Sequence, residues 1–524
     1  MAERAHVGRR PQPDRDVPVK PTSARLAFRD DVIVEEGSAA AETAEGRRTL
    51  VVSRGPSRFT LRGTRPEVAR VLVRMTHEPV DTEAAVRDAP ACARQMSAVL
   101  SRLGGLLAHH LRAGGEEAAR IESSAGAPLT AAPVDAHAPV RMSPFSLCRS
   151  VDGHPVVESP LSTFRAVLTG AGTRRLVAEL FTGGTAARFA EDTAMSPGDV
   201  LALVSHLAGA ALVDVGDVEG FAVDRDPVLA QWDFHDLLFH ARSRSGRYDG
   251  DYGAVFAHRA TIEPCPAVRT PPQGSRTPLP RPPLGAVLAK DVPLTVAVEG
   301  RRSVRGRGLT PLSLAELGEF LYRTARVRTV TEALPEQGMP YPATSRPYPS
   351  GGAAYDLELY LTVNRVAGLA PGMYHYDPVG HALVLVNDEP EQRQLLLDWA
   401  RRATGADQTA DVHVMVTSRF QRLSWKYRGM AYAATLKHVG VLYQTMYLVA
   451  TAMGLAPCAL GGGDSDLTAT ALGLDYTRES AVGEFLLSSL PAPGDLPPAG
   501  HDGWERVNGH SWYRQARLHL EAGR

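Results

Sequence analysis

A dense run of prolines divides this chain near its middle. Nine prolines lie within the thirty residues of Pro264–Pro293. Proline fixes its own φ angle and has no amide proton, so such a run is expected to exclude regular structure. We therefore predict an extended linker or a wrapping arm. The chain has 524 residues, which leaves room for several domains of about 100–200 residues each.

Charge and the spacing of metal-binding residues exclude several classes of protein. The chain has 57 Lys and Arg against 58 Asp and Glu, a net charge of -1, which argues against nucleic acid or an anionic membrane as a partner. Its four cysteines form no CxxC pair, so we expect neither a disulfide framework nor a cysteine-bound zinc ion. His235 and His240 are five residues apart and would not share a helical face, so no metal is predicted.

The start of the chain and its most apolar stretch both lack the pattern of a targeting or membrane segment. Residues 1–20 contain arginine, proline and aspartate without an apolar segment, which predicts a flexible tail and no secretory signal. The stretch 440–460 is interrupted by polar residues and Pro457, as is typical of a buried helix rather than a membrane span. Together with the isolated cysteines, these features predict a soluble cytoplasmic protein.

Strand and helix patterns recur between residues 21 and 225. The first set predicts three strands followed by two helices, at 24–36, 48–53, 57–61, 66–77 and 96–110. The second set predicts helices from Thr173 and at 196–207, and a strand at 211–215. The last helices match best, AVLSRLGGLL (98–107) against ALVSHLAGAA (202–211). This recurrence predicts two winged-helix-like modules, residues 21–115 and 116–225.

These modules are predicted to bind peptide. Neither shows the basic stripe with Asn, Gln and Ser that base readout needs, so we expect a peptide along a strand edge rather than DNA. Residues 226–297 follow as a helix and the proline-rich linker, with Phe234, Leu237 and Leu238 predicted to be buried in that helix.

Residues 298–524 are predicted to form one α+β domain. LTVAVE (294–299) has the pattern of a strand, and Thr310-Pro311-Leu312-Ser313 is typical of a helix start. Further strands are predicted at 357–363, 373–376, 383–386, 412–416 and 484–489, and helices at 391–404 and 430–453.

Three polar or glycine-rich segments of this domain could hold a ligand. Arg301, Arg302, Ser303 and Arg305 present three guanidinium groups and a hydroxyl, which suit a phosphate, although a solvated basic turn would have the same composition. The loops Pro349-Ser350-Gly351-Gly352 and Gly461-Gly462-Gly463 would let backbone approach a flat ligand, or they could be plain connections.

A fourth segment, Trp425-Lys426-Tyr427-Arg428, places a lysine beside a phenol. A partly buried lysine loses its proton more easily than an exposed one, and a neighbouring tyrosine can donate or relay a proton. Lys-Tyr pairs are also common by chance, so this segment is informative only together with the others.

In combination, these segments resemble the FMN-binding nitroreductase superfamily. Within it, FHARSR, RRSVR, YPSGGAAYDLELY, GMYHYD and WKYR look like the SagB-type azoline dehydrogenases, over residues 232–490. Those enzymes oxidise thiazolines or oxazolines to azoles in ribosomally made peptides. The first 220 residues resemble them less, although some relatives carry winged-helix-like peptide-recognition modules there.

The resemblance implies a role for each segment. Arg301, Arg302, Ser303 and Arg305 would contact the FMN phosphate and ring edge. Pro349, Ser350 and Gly351 would lie beside the isoalloxazine ring, and Gly461, Gly462 and Gly463 would approach it by backbone. Lys426 and Tyr427 match the catalytic Lys-Tyr pair of the family. A homodimer, an azoline-containing precursor peptide, a cyclodehydratase of the same pathway and reoxidation by dioxygen are implied as well.

Two other functions remain open at this point. One is a reductase that uses NAD(P)H to reduce a nitroaromatic or a quinone on the same fold, which needs no Lys-Tyr pair. The other is a non-catalytic scaffold that binds the peptide and its cyclodehydratase. The sequence does not distinguish thiazoline from oxazoline as the substrate.

Overall fold

The computed structural model describes residues 24–36, 46–54, 57–87, 89–124, 129–247, 250–492, 495 and 511–522. The predicted tail, residues 1–20, lies outside them. The chain divides into two compact units, Met1–Gly250 and Asp251–Arg524. Among the described residues, every helix is too short or too polar to cross a bilayer.

The first unit contains twelve strands and eight helices among its described residues. The strands are β1 (Arg25–Phe28), β2 (Ile33–Glu36), β3 (Arg48–Arg54), β4 (Ser57–Thr64), β5 (Leu107–Ala113), β6 (Glu116–Ser123), β7 (Pro139–Met142), β8 (Leu147–Val151), β9 (His154–Glu158), β10 (Phe164–Leu168), β11 (Gly184–Thr185) and β12 (Val213–Val215). The helices are α1 (Pro66–Arg74), α2 (Thr82–Val86), α3 (Pro90–Leu103), α4 (Ala171–Thr182), α5 (Ala186–Thr193), α6 (Pro197–Gly209), α7 (Ala222–Arg225) and α8 (Phe234–Arg242).

The sheets of this unit join the two predicted modules. A six-stranded sheet has the order β1-β5-β6-β10-β9-β8, and three-stranded sheets have the orders β2-β3-β4 and β11-β7-β12. The predicted boundary at residue 115 falls in the turn of the β5–β6 hairpin. Two apolar cores lie on either side, one around α1–α3 and one around α4–α6. The two-module division and its winged-helix character stay predictions.

Two local predictions for the first unit were partly wrong. The helix predicted to reach residue 110 ends at Leu103, and Gly104-Gly105 lead into strand β5, since glycine is a poor helix former. Helix α8 buries Leu237 but leaves Phe234 38% exposed, and Leu238 is half-buried. Helix α8 is also held by an ion pair: the guanidinium of Arg242, in the FHARSR motif, lies 3.2 Å from the carboxylate of buried Glu158 on β9.

The second unit contains thirteen strands and eight helices among its described residues. The strands are β13 (Gly253–Ala254), β14 (Arg276–Pro278), β15 (Leu312–Ser313), β16 (Thr329–Thr331), β17 (Ala343–Ser345), β18 (Leu357–Val363), β19 (Val366–Ala367), β20 (Gly372–Asp377), β21 (Ala382–Asn387), β22 (Val412–Arg419), β23 (Tyr427–Arg428), β24 (Leu455–Leu460) and β25 (Glu479–Ser489). The helices are α9 (Leu284–Lys290), α10 (Leu294–Gly300), α11 (Leu314–Ala325), α12 (Pro390–Thr404), α13 (Gln421–Ser424), α14 (Ala431–Ala452), α15 (Ser465–Leu472) and α16 (Ser511–Ala522).

A seven-stranded sheet organises this unit. Its order is β14-β21-β20-β18-β22-β25-β24, and all its pairs are antiparallel. Alternate residues of each strand face opposite sides, so one face of β18 packs with α11 and α14 and the other packs near α12 and α15. Helix α14 therefore lies directly on the sheet, as the prediction of a buried helix requires.

The start of the second unit departs from two predictions. LTVAVE forms helix α10 rather than a strand, because tertiary packing overrides β propensity: a Cβ at Gly300 would overlap Leu520 of α16. The proline-rich segment also contains regular structure. Pro278 closes the edge strand β14, where no amide proton is required, and Pro283 precedes helix α9.

The helix predicted after Thr310 is confirmed as α11. Ser313 caps it: the Ser313 hydroxyl accepts from the Glu316 amide at 3.2 Å, and the Glu316 carboxylate accepts from the Ser313 amide at 2.8 Å. Such a reciprocal pair satisfies two amides that the first turn leaves without partners.

Candidate functional site

Lys426 lies in an aromatic cage. Its side chain is 9% exposed, and its Nζ donates a hydrogen bond to the Tyr341 hydroxyl. The Nζ is 4.6 Å from the ring centre of Tyr341, 4.9 Å from that of Tyr427 and 6.0 Å from that of Phe256. Aromatic faces attract a cation at these distances. The cage therefore stabilises a positive charge on Lys426.

The glycine turn after Ser350 closes this cage. The Tyr341 hydroxyl donates to the Gly352 carbonyl oxygen at 2.8 Å. Gly352 has φ +60°, and a Cβ there would overlap Lys426 Nζ and come within 3.0 Å of the Tyr427 hydroxyl oxygen. A glycine is thus required for both the backbone angle and the close approach of the lysine.

A buried histidine holds the other glycine of the turn. The Gly351 amide donates to His438 Nε2 at 2.8 Å, and His438 Nδ1 is 2.7 Å from Asp356 Oδ1. Because Nε2 accepts, the proton of neutral His438 resides on Nδ1 and is donated to Asp356. His438 is therefore an anchor for the turn rather than a free base.

Asp356 is itself held by three donors. Its second carboxylate oxygen accepts from Ser418 and Thr435, each at 2.8 Å. Burial alone would raise the pKa of Asp356, but the hydrogen bonds from His438, Ser418 and Thr435 and the nearby histidine outweigh it and lower that pKa. The charged carboxylate fixes the tautomer of His438.

One buried arginine joins the loops around the cage. The Arg422 guanidinium donates to the carbonyl oxygens of Ala354 at 2.6 Å, Cys265 at 2.6 Å and Pro342 at 3.0 Å. Burial and neighbouring Arg419 lower the pKa of Arg422 to about 10, so it stays charged at neutral pH. The loops that carry Tyr341 and the glycine turn are thereby held together.

The arginine cluster lies along strand β24. The Val304 amide donates to the Pro457 carbonyl oxygen at 2.8 Å, and Ser303 Oγ is 2.7 Å from the Tyr447 hydroxyl oxygen. Tyr447, on α14, also accepts from the Ala459 amide at 2.8 Å, and its ring centre is 5.0 Å from the Arg301 guanidinium. These contacts orient the segment from Arg301 to Ser303 over the end of α14.

The three arginines of this cluster differ in their surroundings. Within the described residues, Arg301 and Arg305 have no hydrogen bond or ion pair with a carboxylate. Arg302 instead lies near helix α16, where burial and the like charge of Arg517 lower its pKa. Arg301 and Arg305 are thus the guanidinium groups left available for an anion.

The triple glycine directly follows β24. Gly461, Gly462 and Gly463 are exposed, and Asp464 caps helix α15 through the Leu467 amide at 2.8 Å. A Cβ at Gly463 would come within 2.5 Å of the buried Glu484 carboxylate, whereas Gly461 and Gly462 face open space. Of these three glycines, only Gly463 is at a position where a side chain would clash with the described residues.

Helix α14 connects the two parts of the site. His438 holds the glycine turn near Lys426, and Tyr447 holds the arginine cluster, nine residues further on. At about 1.5 Å per residue, these contacts lie roughly 13 Å apart along the helix axis. Pro349 is exposed, and the Ser350 hydroxyl accepts from the Tyr355 amide at 3.0 Å within the loop itself.

Sequence reasoning did not find several residues that build this site. Tyr341, Phe256 and Tyr447 belong to no short motif, and Asp356 lies within YPSGGAAYDLELY but was not singled out there. One signal for Lys426 was available, because only four of the 57 Lys and Arg residues are lysines, at positions 20, 290, 426 and 437. A buried lysine in a chain that otherwise uses arginine indicates a special requirement.

Comparison with known proteins defines the class. The nitroreductase family model matches residues 298–485, and the model of the cyanobactin oxidase ThcOx matches residues 140–249. The putative nitroreductase MJ1384 of Methanocaldococcus jannaschii is 30% identical over 161 residues, 31% of this chain and 74% of that protein. The chain belongs to the nitroreductase family, and the predicted α+β class with a nitroreductase-like C-terminal domain is confirmed.

More specific similarity is to proteins of peptide modification. The microcin B17-processing protein McbC of Escherichia coli is 34% identical over 139 residues, 25% of this chain and 49% of McbC. The solved E. coli microcin synthetase McbBCD complex with truncated pro-MccB17 bound includes a chain with 20% identity and a TM-score of 0.30, covering 52% of this chain and 99% of that one. With ThcOx, the McbC match confirms the resemblance found in the motifs.

Proposed function

We propose that this oxidoreductase uses FMN to oxidise thiazoline or oxazoline rings to azoles in a ribosomally made precursor peptide. The observation that carries the proposal is the burial of Lys426 against the Gly351–Gly352 turn. By the resemblance, Lys426 would belong to the catalytic Lys-Tyr pair, and the glycine turn would lie beside the flavin ring. The names of McbC, a microcin-processing protein, and ThcOx, a cyanobactin oxidase, support the same chemistry.

The residues present fit an FMN. Arg301 and Arg305 have no carboxylate partner among the described residues and would bind the phosphate. The glycine turn, which lacks Cβ atoms, and Gly461–Gly463 would approach the ring by backbone. A bound FMN would supply the hydride acceptor.

A side chain of the protein must accept the proton that the azoline loses. Conversion of an azoline to an azole removes a proton from the α-carbon and a hydride from the β-carbon, so a base must take the proton. Neutral Lys426 can accept it at Nζ, and the ammonium that forms is stabilised by the rings of Tyr341, Tyr427 and Phe256. Tyr427 would orient the azoline or relay its proton.

The test is oxidation of a synthetic azoline peptide by the purified protein with FMN and dioxygen. We expect each ring to lose the mass of two hydrogen atoms, with flavin absorbance recorded in parallel. An NAD(P)H-dependent reductase would instead bleach its flavin rapidly with NAD(P)H in the absence of peptide. A scaffold would leave the peptide unchanged, and either result would contradict the proposal.

For the first unit we propose recognition of the precursor peptide, or of the cyclodehydratase that makes the azolines. A cavity of about 620 Å³ supports this role, with the apolar side chains of Leu26, Val86, Met96 and Leu100 in its lining beside Ser97. An apolar cavity with a few polar groups is typical of a binding site.

Filling this cavity is expected to weaken recognition without affecting chemistry. The Ser97→Trp variant should raise the KM of the full precursor peptide roughly tenfold, a change of about 1.4 kcal/mol, with kcat unchanged. Ala98→Trp is the matched control, because residue 98 is exposed on the same helix and does not line the cavity. Equal KM values for the two variants would assign the cavity another role.

We also propose that the protein is a homodimer. Helices α9 and α10 expose Leu284 at 71%, Leu288 at 66% and Leu294 at 70%, and neighbouring exposed leucines are typical of an interface. The wild-type protein should sediment with twice the chain mass, and Leu284→Glu with Leu288→Glu should shift it towards the monomer. A monomeric wild type at micromolar concentration would contradict this assignment.

A further inference from the structure

Tyr341 is the centre of a hydrogen-bond chain that ends at Lys426. Its hydroxyl accepts from Lys426 Nζ and donates to the Gly352 carbonyl oxygen at 2.8 Å. Tyr341 is 6% exposed, and its ring centre is 6.2 Å from that of Phe256 and 6.4 Å from that of Trp425. The hydroxyl proton is thus directed to Gly352, and the oxygen lone pairs are directed to the lysine.

The two tyrosines of the cage differ in how their hydroxyls are used. The Tyr341 hydroxyl donates one hydrogen bond and accepts another, both within the protein. The Tyr427 hydroxyl has no hydrogen bond among the described residues, although its ring lies as close to Lys426. The Tyr427 hydroxyl can therefore form a hydrogen bond with a substrate, whereas the Tyr341 hydroxyl is already bonded to Lys426 and Gly352.

We propose that Tyr341 is a positioning residue for proton removal, whose hydroxyl holds Lys426 Nζ beside the Gly351–Gly352 turn. The hydroxyl oxygen also stabilises the ammonium formed when Lys426 takes the α-proton. This inference rests on the proposed function, because it adds a residue to the same reaction. It explains why a tyrosine 85 residues from the lysine in sequence is buried against it.

The first test is Tyr341→Phe, which keeps the ring and removes the hydroxyl. The maximal rate of azole formation should fall roughly tenfold to a hundredfold, the value of one hydrogen bond to a charged group, with KM unchanged. Loss of the acceptor disfavours the ammonium form of the lysine, so the rising limb of the pH–rate profile should move to lower pH. A role in folding alone would leave that limb in place.

Tyr374→Phe is the matched control. The Tyr374 hydroxyl also donates to a backbone carbonyl oxygen, that of Ala370 at 2.9 Å, but it lies on strand β20 away from the lysine. A double-mutant cycle adds a second control, because Tyr341→Phe should have no further effect in a Lys426→Ala background. Additive losses would overturn the proposal.

A substrate-independent measurement separates this inference from the proposed function. Cyanate carbamylates neutral lysine amines, and mass spectrometry can read Lys426 against exposed Lys437 as a function of pH. In Tyr341→Phe the half-maximal labelling of Lys426 should move to lower pH while that of Lys437 stays. If azolines are not oxidised but this shift occurs, the substrate class is wrong and the positioning role stands.

Gly352→Ala provides the same test from the other side of the contact. The added Cβ would overlap Lys426 Nζ and should push the lysine away from Tyr341, again moving its labelling to lower pH. Unchanged labelling of Lys426 in a folded variant of either kind would overturn the proposal.

Discussion

Lys426→Ala is expected to slow azole formation at least a hundredfold while FMN and peptide stay bound. A positioned base typically contributes ~10²–10⁴-fold to a rate. The nearby His438 does not replace it, because His438 accepts from the Gly351 amide and donates to Asp356, so both of its nitrogens are occupied. The assay is the loss of two hydrogen masses per ring, with flavin absorbance read in the same sample.

Lys437→Ala is the control for this variant, because Lys437 is an exposed lysine on the following helix. Near-normal turnover of Lys426→Ala would exclude the lysine as the base and direct attention to Tyr427. Should the alanine variant lose flavin, Lys426→Met is measured instead, because methionine fills the cage without a basic group. Tyr427→Phe should lose less activity if the hydroxyl orients the azoline, and as much if it relays the proton.

Replacing Arg301 and Arg305 together with alanine should remove most of the bound FMN. Each guanidinium would contribute a charge-assisted phosphate bond of ~1.5–3 kcal/mol. Loss of both would weaken FMN binding by roughly a hundredfold to ten-thousandfold. The wild-type protein should be yellow as purified, and the double variant pale. Occupancy is read from the ratio of flavin to protein absorbance and from titration with FMN.

Two single variants make this experiment specific. Arg401→Ala removes a partly exposed guanidinium on helix α12 that pairs with Asp398, and should leave the FMN content unchanged. Arg302→Ala should have a smaller effect than the loss of Arg301 or Arg305, because Arg302 lies beside Arg517 of helix α16. Full flavin content in the double variant would show that the phosphate is bound elsewhere.

The sequence determined those features that depend on neighbouring residues. Apolar patterns predicted strands β18 and β22, and Thr310-Pro311-Leu312-Ser313 indicated the start of α11. Periodicity has its physical basis in the geometry of one strand or helix, so it is readable from a short window. The prediction from a short window was wrong at LTVAVE. These residues, rich in β-branched side chains, form helix α10 because it packs against α16.

The motifs also predicted where chemistry would concentrate, because lysine, arginine and glycine have uses that few other residues share. The motifs did not show which residue of each motif is available to bind a ligand. Among Arg301, Arg302 and Arg305, only the fold places Arg302 near another arginine and leaves the other two without carboxylate partners among the described residues. The charges around a side chain depend on the folded structure, so they cannot be predicted from a short sequence motif.

The arrangement of the site was decided by tertiary structure alone. Lys426 meets Tyr341 across 85 residues, Gly351 meets His438 across 87, and Ser303 meets Tyr447 across 144. Each pair joins different secondary-structure elements or loops, and no local pattern encodes which of them will touch. The sequence thus supplied the lysine, the glycine turn and the arginines, whereas sheet register and the packing of α14 placed their partners within hydrogen-bonding distance.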